Sequence, residues 1–169
     1  MVEKTNLSDL PVVLWMFEQA MAVSKPGYRV WPTIDTAALQ KDIENGLQYK
    51  LIQTNQIRCV FSVQFSDPFI WGDRDRTDAV YLHRIVVHPD FKGQRQFDCV
   101  LEWAKGSSRQ RKLSCIRMDT WADNDRIINY YKSFGFEFVG VRTTGNHSEL
   151  PIQNRNLNVA LLEMKVDNK

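Results

Sequence analysis

The nine residues at 79–87, AVYLHRIVV, constrain this chain more than any others. Apolar and β-branched side chains dominate them, and His88-Pro89 ends the run, so they read as a strand. A helical pattern follows over about 96–110, with Val100, Leu101 and Ala104 on one side, and then a short strand over 115–120. A strand, a helix and a second strand in that order cross over right-handedly, which sets the two strands parallel in one sheet. Their carboxyl ends frame an open cleft, a usual ligand position.

The flanking sequence supplies the other layers. Ser8 reads as an N-cap, and Leu10, Val13, Leu14, Phe17, Ala20 and Met21 follow helical spacing up to the breaker Lys25-Pro26-Gly27. Residues 28–33, with Trp31-Pro32, read as a loop. A second helix runs from the cap Asp35 to Gly46 in the C′ role. Residues 47–53 and 57–65 flank the turn Thr54-Asn55-Gln56 as a hairpin, and the polar stretch 67–78, with Trp71-Gly72, reads as a wide loop. A helix over 125–134 and strands over 136–143 and 157–166 complete a mixed α/β layer fold. No repeat or linker divides it, and 169 residues suit one domain with a sizeable core.

Composition excludes several classes. With 43% hydrophobic and 25% charged residues the chain is globular rather than disordered. A net charge of +2 is too weak for a nucleic-acid partner, and Arg109-Gln110-Arg111-Lys112 reads as a solvated helix end complementing the helix dipole. Cys59, Cys99 and Cys115 are odd in number and lack metal-ligand spacing, so reduced thiols and no metal are expected. No apolar run reaches membrane-span length, and the N-terminus has no signal-peptide core. A cytoplasmic location and no membrane partner are therefore expected.

Two segments carry a resemblance. VHPDFKGQRQFDCVLEWA is similar to the cofactor-binding segment of the GNAT N-acetyltransferase superfamily, and NDRIINYYKSFGFEFVG resembles the segment that completes its acyl-CoA cleft. With YLHRIVV and CIRMDTW the likeness covers about 79–142. It implies one domain with a mixed central sheet of about seven strands flanked by about four helices. It also implies acetyl-CoA as co-substrate and a primary amine of a small molecule or peptide as acceptor, and a homodimer is compatible with it.

In that family the first strand gives backbone groups to the pantetheine arm, which implies Ile85 and Val87 here. The phosphates lie on loop and helix N-terminal N–H groups, which favour an anion. That implies Lys92, Gly93, Gln94, Arg95, Gln96 and Phe97. The family loop runs Arg or Gln, two residues, Gly, one residue, then Gly or Ala. Lys92 stands first, but the two small positions hold Arg95 and Phe97. Such side chains either block the pyrophosphate's approach or point away, with Arg95 then adding a cation.

Tyr131 aligns with the tyrosine that protonates the departing thiolate, since a phenol is protonated at neutral pH. Tyr130, about a hundred degrees around the helix, is expected in the core. Asn124 aligns with a cofactor-contacting asparagine and also suits an N-cap. Strict alternation puts Tyr81, His83, Ile85 and Val87 on one strand face and Val80, Leu82, Arg84 and Val86 on the other. His83 is the candidate general base or water partner. Asp119 is a weaker candidate, otherwise expected to pair with Arg84 or Arg117. Trp31 and Trp71 are expected to border the acceptor, through apolar or cation–π contact. The cysteines sit inside elements away from any base, so direct attack in a ternary complex is expected. Two alternatives stand beside it. One is a non-catalytic acyl-CoA-binding or regulatory module with weakened cofactor binding, and the other is an interaction protein using the cleft for another anion.

Overall fold

A computed structural model describes residues 1–23 and 31–167. The Lys25-Pro26-Gly27 breaker lies outside the described residues, as does Tyr28. Seven strands form one sheet: β1 (Val2–Lys4), β2 (Gln48–Gln53), β3 (Gln56–Gln64), β4 (Ala79–Val87), β5 (Cys115–Trp121), β6 (Glu137–Thr143) and β7 (Asn158–Lys165). Five helices pack on it: α1 (Leu10–Met21), α2 (Thr36–Glu44), α3 (Pro68–Trp71), α4 (Gln96–Arg111) and α5 (Asp125–Lys132). The strand order is β1-β2-β3-β4-β5-β7-β6. Among these neighbours only β4 and β5 run parallel, as the right-handed crossover requires.

The structure adds two elements, β1 and the one-turn α3, which occupies part of the expected wide loop. One cap moves as well. Ser8 sits inside a 3-10 turn whose cap is Asn6, and Asp9 returns the bond to the Asn6 N–H. Asp35 caps α2 through the Ala38 N–H, as expected, and also accepts from the Ile152 N–H, which ties the 150–154 segment to that helix. The Asn154 segment is thereby fixed over the sheet.

The core has two sides. Phe97, Val100, Leu101 and Ala104 of α4 and Tyr131 of α5 pack on Phe61, Val80, Leu82 and Ile116. On the opposite side Val13, Met16 and Phe17 of α1 and Leu39 of α2 cover Val60 and Val86, while Ile70 and Trp71 cover Ala79 and Tyr81.

β4 does not alternate along its whole length. Arg84 has φ 49, the left-handed region, and the β3–β4 register shifts between Val60 and Ser62. This is a β-bulge: one extra residue opposite its partner, which resets the strand's facing. Ile85 and Val87 consequently pack with the α4–α5 side. His83 and Arg84 reach the other side, where Arg84 pairs with Asp42 of α2 and bonds the Ser62 hydroxyl. The expected sharing of one face by His83, Ile85 and Val87 is thus corrected, as is that by Arg84 and Leu82.

Candidate active site

β4 and β5 pair only over Ala79–Leu82 and Cys115–Met118. Beyond Leu82 and Met118 they part, β4 staying with β3 and β5 with β7. The seam opens a cavity of about 290 Å³. Because the gap passes through the sheet, the cavity touches both faces. Ile85, Val87, Ile127 and Tyr131 line it from the α4–α5 side, and Ala20, Val23 and Trp31 from the α1 side. Asn154, Leu157 and Val159 close its far wall.

Tyr131 is 9% exposed, and its phenol has no hydrogen-bond partner among the described residues. Burial pushes the phenol well above its ordinary value, with smaller pushes from neighbouring Tyr130, Cys59 and Asp119. Here is a neutral donor with an unused proton facing a cavity. Tyr130 is 44% exposed rather than in the core; its ring meets Phe97, Tyr131 and Phe134 edge-on or tilted from the helix surface.

His83 and Asp119 are the first residues past the last paired rung, one on each strand. His83 Nδ1 lies 3.4 Å from Asp119 Oδ1, and Nε2 lies 3.3 Å from Asp67 Oδ2. Burial alone would strip the proton from this imidazole. The two carboxylates, Asp119 and Asp67, outweigh that and push it up to about 9. At neutral pH His83 is therefore an imidazolium with no lone pair for a base's work. Asp119 pairs with His83, not with Arg84 or Arg117. Arg117 is instead held by Asp78 and Glu163, each within 2.8 Å.

Where the chain leaves β4, Lys92 lines the cavity and Gly93 has φ 78 with open space around its α-carbon. The backbone N–H groups of Gly93, Arg95, Gln96 and Phe97 find no acceptor among the described residues. Both large side chains of the loop turn away. Phe97 is 3% exposed and meets Tyr131 and Phe134 edge-on at 5.1 and 4.9 Å. Arg95, in the left-handed region at φ 54, lies outward in a two-bond ion pair with Asp98. Gln94 bonds the Asp90 carbonyl, and Gln96 is buried. The free N–H groups at the start of a sixteen-residue helix fit a pyrophosphate, and the unpaired stretch of β4 fits a pantetheine arm.

Asn124 caps α5 through the Ile127 N–H and does not line the cavity. Trp31 does line it, packed on Phe17 at 5.6 Å. Trp71 does not. It is fully buried against Tyr81 and the Arg117 guanidinium, so the expectation that it borders the acceptor is corrected. Three site residues escape a reading of the sequence: Asp67, Trp121 and Asn154. They come from a helix cap, a strand end and a loop, and only the folded sheet brings them to the seam. None of the three cysteines lines the cavity, and burial raises the Cys59 thiol to about 12.

Residues 59–136 match the family model described as Acetyltransferase (GNAT) family. The chain is 36% identical over 81 residues to a curated protein of Bacillus subtilis (strain 168), "Uncharacterized N-acetyltransferase YesJ". That match spans 48% of the chain and 45% of the relative, so the chain aligns with under half of the relative's length. Among solved structures, a GNAT-family acetyltransferase of Listeria monocytogenes 4b F2365 superposes with TM-score 0.78 at 18% identity, over 98% of this chain and 94% of that one. YncA of Salmonella typhimurium, solved with its cofactor acetyl-CoA, gives TM-score 0.67 at 15% identity over 100% and 95%. At such identities the structural likeness speaks for the fold.

Proposed function

We propose that the protein is a GNAT acetyltransferase, the family whose model residues 59–136 match and whose fold the chain shares, and that it transfers an acetyl group from acetyl-CoA to a primary amine. The observation that carries this reading is the unpartnered phenol of Tyr131 beside the opening between β4 and β5. Ile85 and Val87 would hold the pantetheine arm, and Lys92 with the free N–H groups of Gly93, Arg95, Gln96 and Phe97 would hold the phosphates. Acetyl-CoA supplies the thioester carbonyl.

The amine nitrogen bonds to the thioester carbonyl carbon and the C–S bond breaks as Tyr131 gives its proton to the sulfur; the proton shed by the nitrogen then restores the Tyr131 phenol. A phenol kept protonated by burial suits that task. Attack is direct, since among the described residues no cysteine or serine lines the cavity to form an acyl-enzyme. His83 serves the site as a fixed cation between two carboxylates. The outward Arg95 and inward Phe97 support binding in spite of the substituted loop, which favours an enzyme over the non-catalytic module. The test incubates the protein with acetyl-CoA and a panel of primary amines, following free CoA thiol and acetylated amine together. Stoichiometric appearance of both is expected. Thiol release without acetylated amine, or neither product with any amine, contradicts the reading.

A further inference from the structure

Just past the last paired rung of β4 and β5 stands a buried trio whose polar atoms the protein itself does not satisfy. His83 is 8% exposed and Asp67 4%, and neither His83 Nε2 nor Asp67 Oδ2 has a hydrogen-bond partner among the described residues. The two atoms lie 3.3 Å apart, an ion pair without the geometry of a hydrogen bond. Asp119 approaches the same ring from its Nδ1 side at 3.4 Å. One donor atom from each of Asp67, His83 and Asp119 lies within 4.8 Å of the other two. A histidine kept only to bond two carboxylates would leave neither a buried nitrogen nor a buried oxygen unbonded, because such atoms destabilise a fold.

Around a zinc-sized ion with bonds of about 2.0–2.2 Å, donor atoms stand roughly 3.3–4.2 Å apart, so a contraction of about an ångström closes the trio on one ion. One imidazole nitrogen and two carboxylate oxygens, with no thiolate, suit a divalent first-row metal such as zinc. An ion also has a way in. His83 and Asp119 line the seam cavity, while His83 and Asp67 line a second, polar cavity of about 300 Å³ beside α2. Arg84 and Lys92 share the seam cavity with Asp119, Arg84 paired with Asp42, and Lys41 lines the second cavity. Affinity for a metal therefore comes from coordination by the trio rather than from the field of its surroundings.

We propose that Asp67, His83 and Asp119 form a binding site for one divalent ion of the zinc class at the parting of β4 and β5. The site does not depend on the acetyl-transfer reading. In taking the ion His83 releases one ring proton to solvent, so the metal replaces the proton that makes the ring a cation. Three protein ligands leave at least one coordination position for water. The cysteine spacing that speaks against a metal elsewhere in the chain has no bearing here, since no sulfur takes part.

The test strips the full chain with EDTA, dialyses it, and titrates it with zinc chloride by calorimetry, following melting temperature in parallel. One site per chain with a Kd of about 10 μM or below is expected, with a rise in melting temperature. Asp119→Asn and Asp67→Asn, both nearly isosteric, are each expected to weaken binding about tenfold or more. The double change His88→Gln with His147→Gln removes the other two histidines and is expected to leave binding unchanged. X-ray absorption of the zinc-loaded parent needs no variant. It is expected to show nitrogen and oxygen donors at about 2.0–2.2 Å, with one imidazole and no sulfur. Neither heat nor a melting shift at millimolar zinc overturns the proposal, as does binding that survives both aspartate changes or vanishes with His88 and His147. Sulfur in the zinc shell overturns it too.

Discussion

Tyr131 faces the cavity with a hydroxyl that makes no bond to the described residues, and that is its signature. A phenol with no structural bond to keep is explained by chemistry better than by packing. Tyr131→Phe should keep the melting temperature or raise it slightly, and should leave acetyl-CoA affinity nearly unchanged. Turnover should fall by some tens of fold to about a thousandfold, because the proton matters only as the thiolate leaves. Steady-state kinetics beside calorimetry checks this, and unchanged turnover contradicts it. The loop gives a second prediction. Removing Arg95 leaves Asp98 unpaired in the first turn of α4, beside the N–H groups offered to phosphate. Arg95→Gly should therefore weaken acetyl-CoA binding, with a shallower salt dependence than the parent. Tighter binding would mean that the arginine crowds the site. That Tyr131 reaches the cavity is legible in the sequence because the motif around it is continuous along one helix. The direction of Phe97 is not, since whether a large side chain at a helix start faces ligand or core depends on the helix's rotation over the sheet. Trp71 misleads for a related reason: a Trp-Gly pair in a polar stretch looks like a loop tip, but Pro68–Trp71 coils into a turn that buries it.

At the level of elements, the bulge in β4 sends neighbouring residues to different faces. Without it His83, Ile85 and Val87 would share a face; with it Ile85 and Val87 join the α4–α5 side and His83 and Arg84 the other. Arg84 takes the left-handed conformation with no glycine to announce it, which is why alternation read from the sequence holds through His83 and fails at Ile85. What fixes the bulge is the buried pairing of Arg84 with Asp42 and Ser62, a contact 42 residues away in sequence to Asp42. Arg84→Gly should keep the local backbone but strand the Asp42 carboxylate, destabilising the protein by about 3–5 kcal/mol. Denaturant unfolding measures that, and a loss within ~0.5 kcal/mol would show the pair to be dispensable. The β4–α4–β5 crossover and the order of the later elements are plain in the sequence, where periodicity is strong. β1 has only three residues and α3 only four, too few for a period to register.

Taken whole, the molecule is a sheet parted at one seam, between β4 and β5. No helix among the described residues is long and apolar enough to cross a membrane. The His83 clamp bridges the seam at its deepest point and makes stability depend on pH. Its imidazole titrates near 9 in the folded chain against an ordinary 6.5, so the clamp contributes fully below about pH 6.5 and is lost as pH rises through about 9. The parent's melting temperature should fall across that window relative to His83→Gln, and parallel profiles would show the clamp to be idle. The central claim is that the seam receives acetyl-CoA, and titration of the protein with acetyl-CoA, followed by calorimetry and by melting temperature, tests it most directly. One site per chain is expected, with stabilisation growing as the ligand concentration rises and reaching about 2.7 kcal/mol at a hundredfold excess over Kd. Millimolar acetyl-CoA that yields neither heat nor a shift in melting temperature contradicts the account.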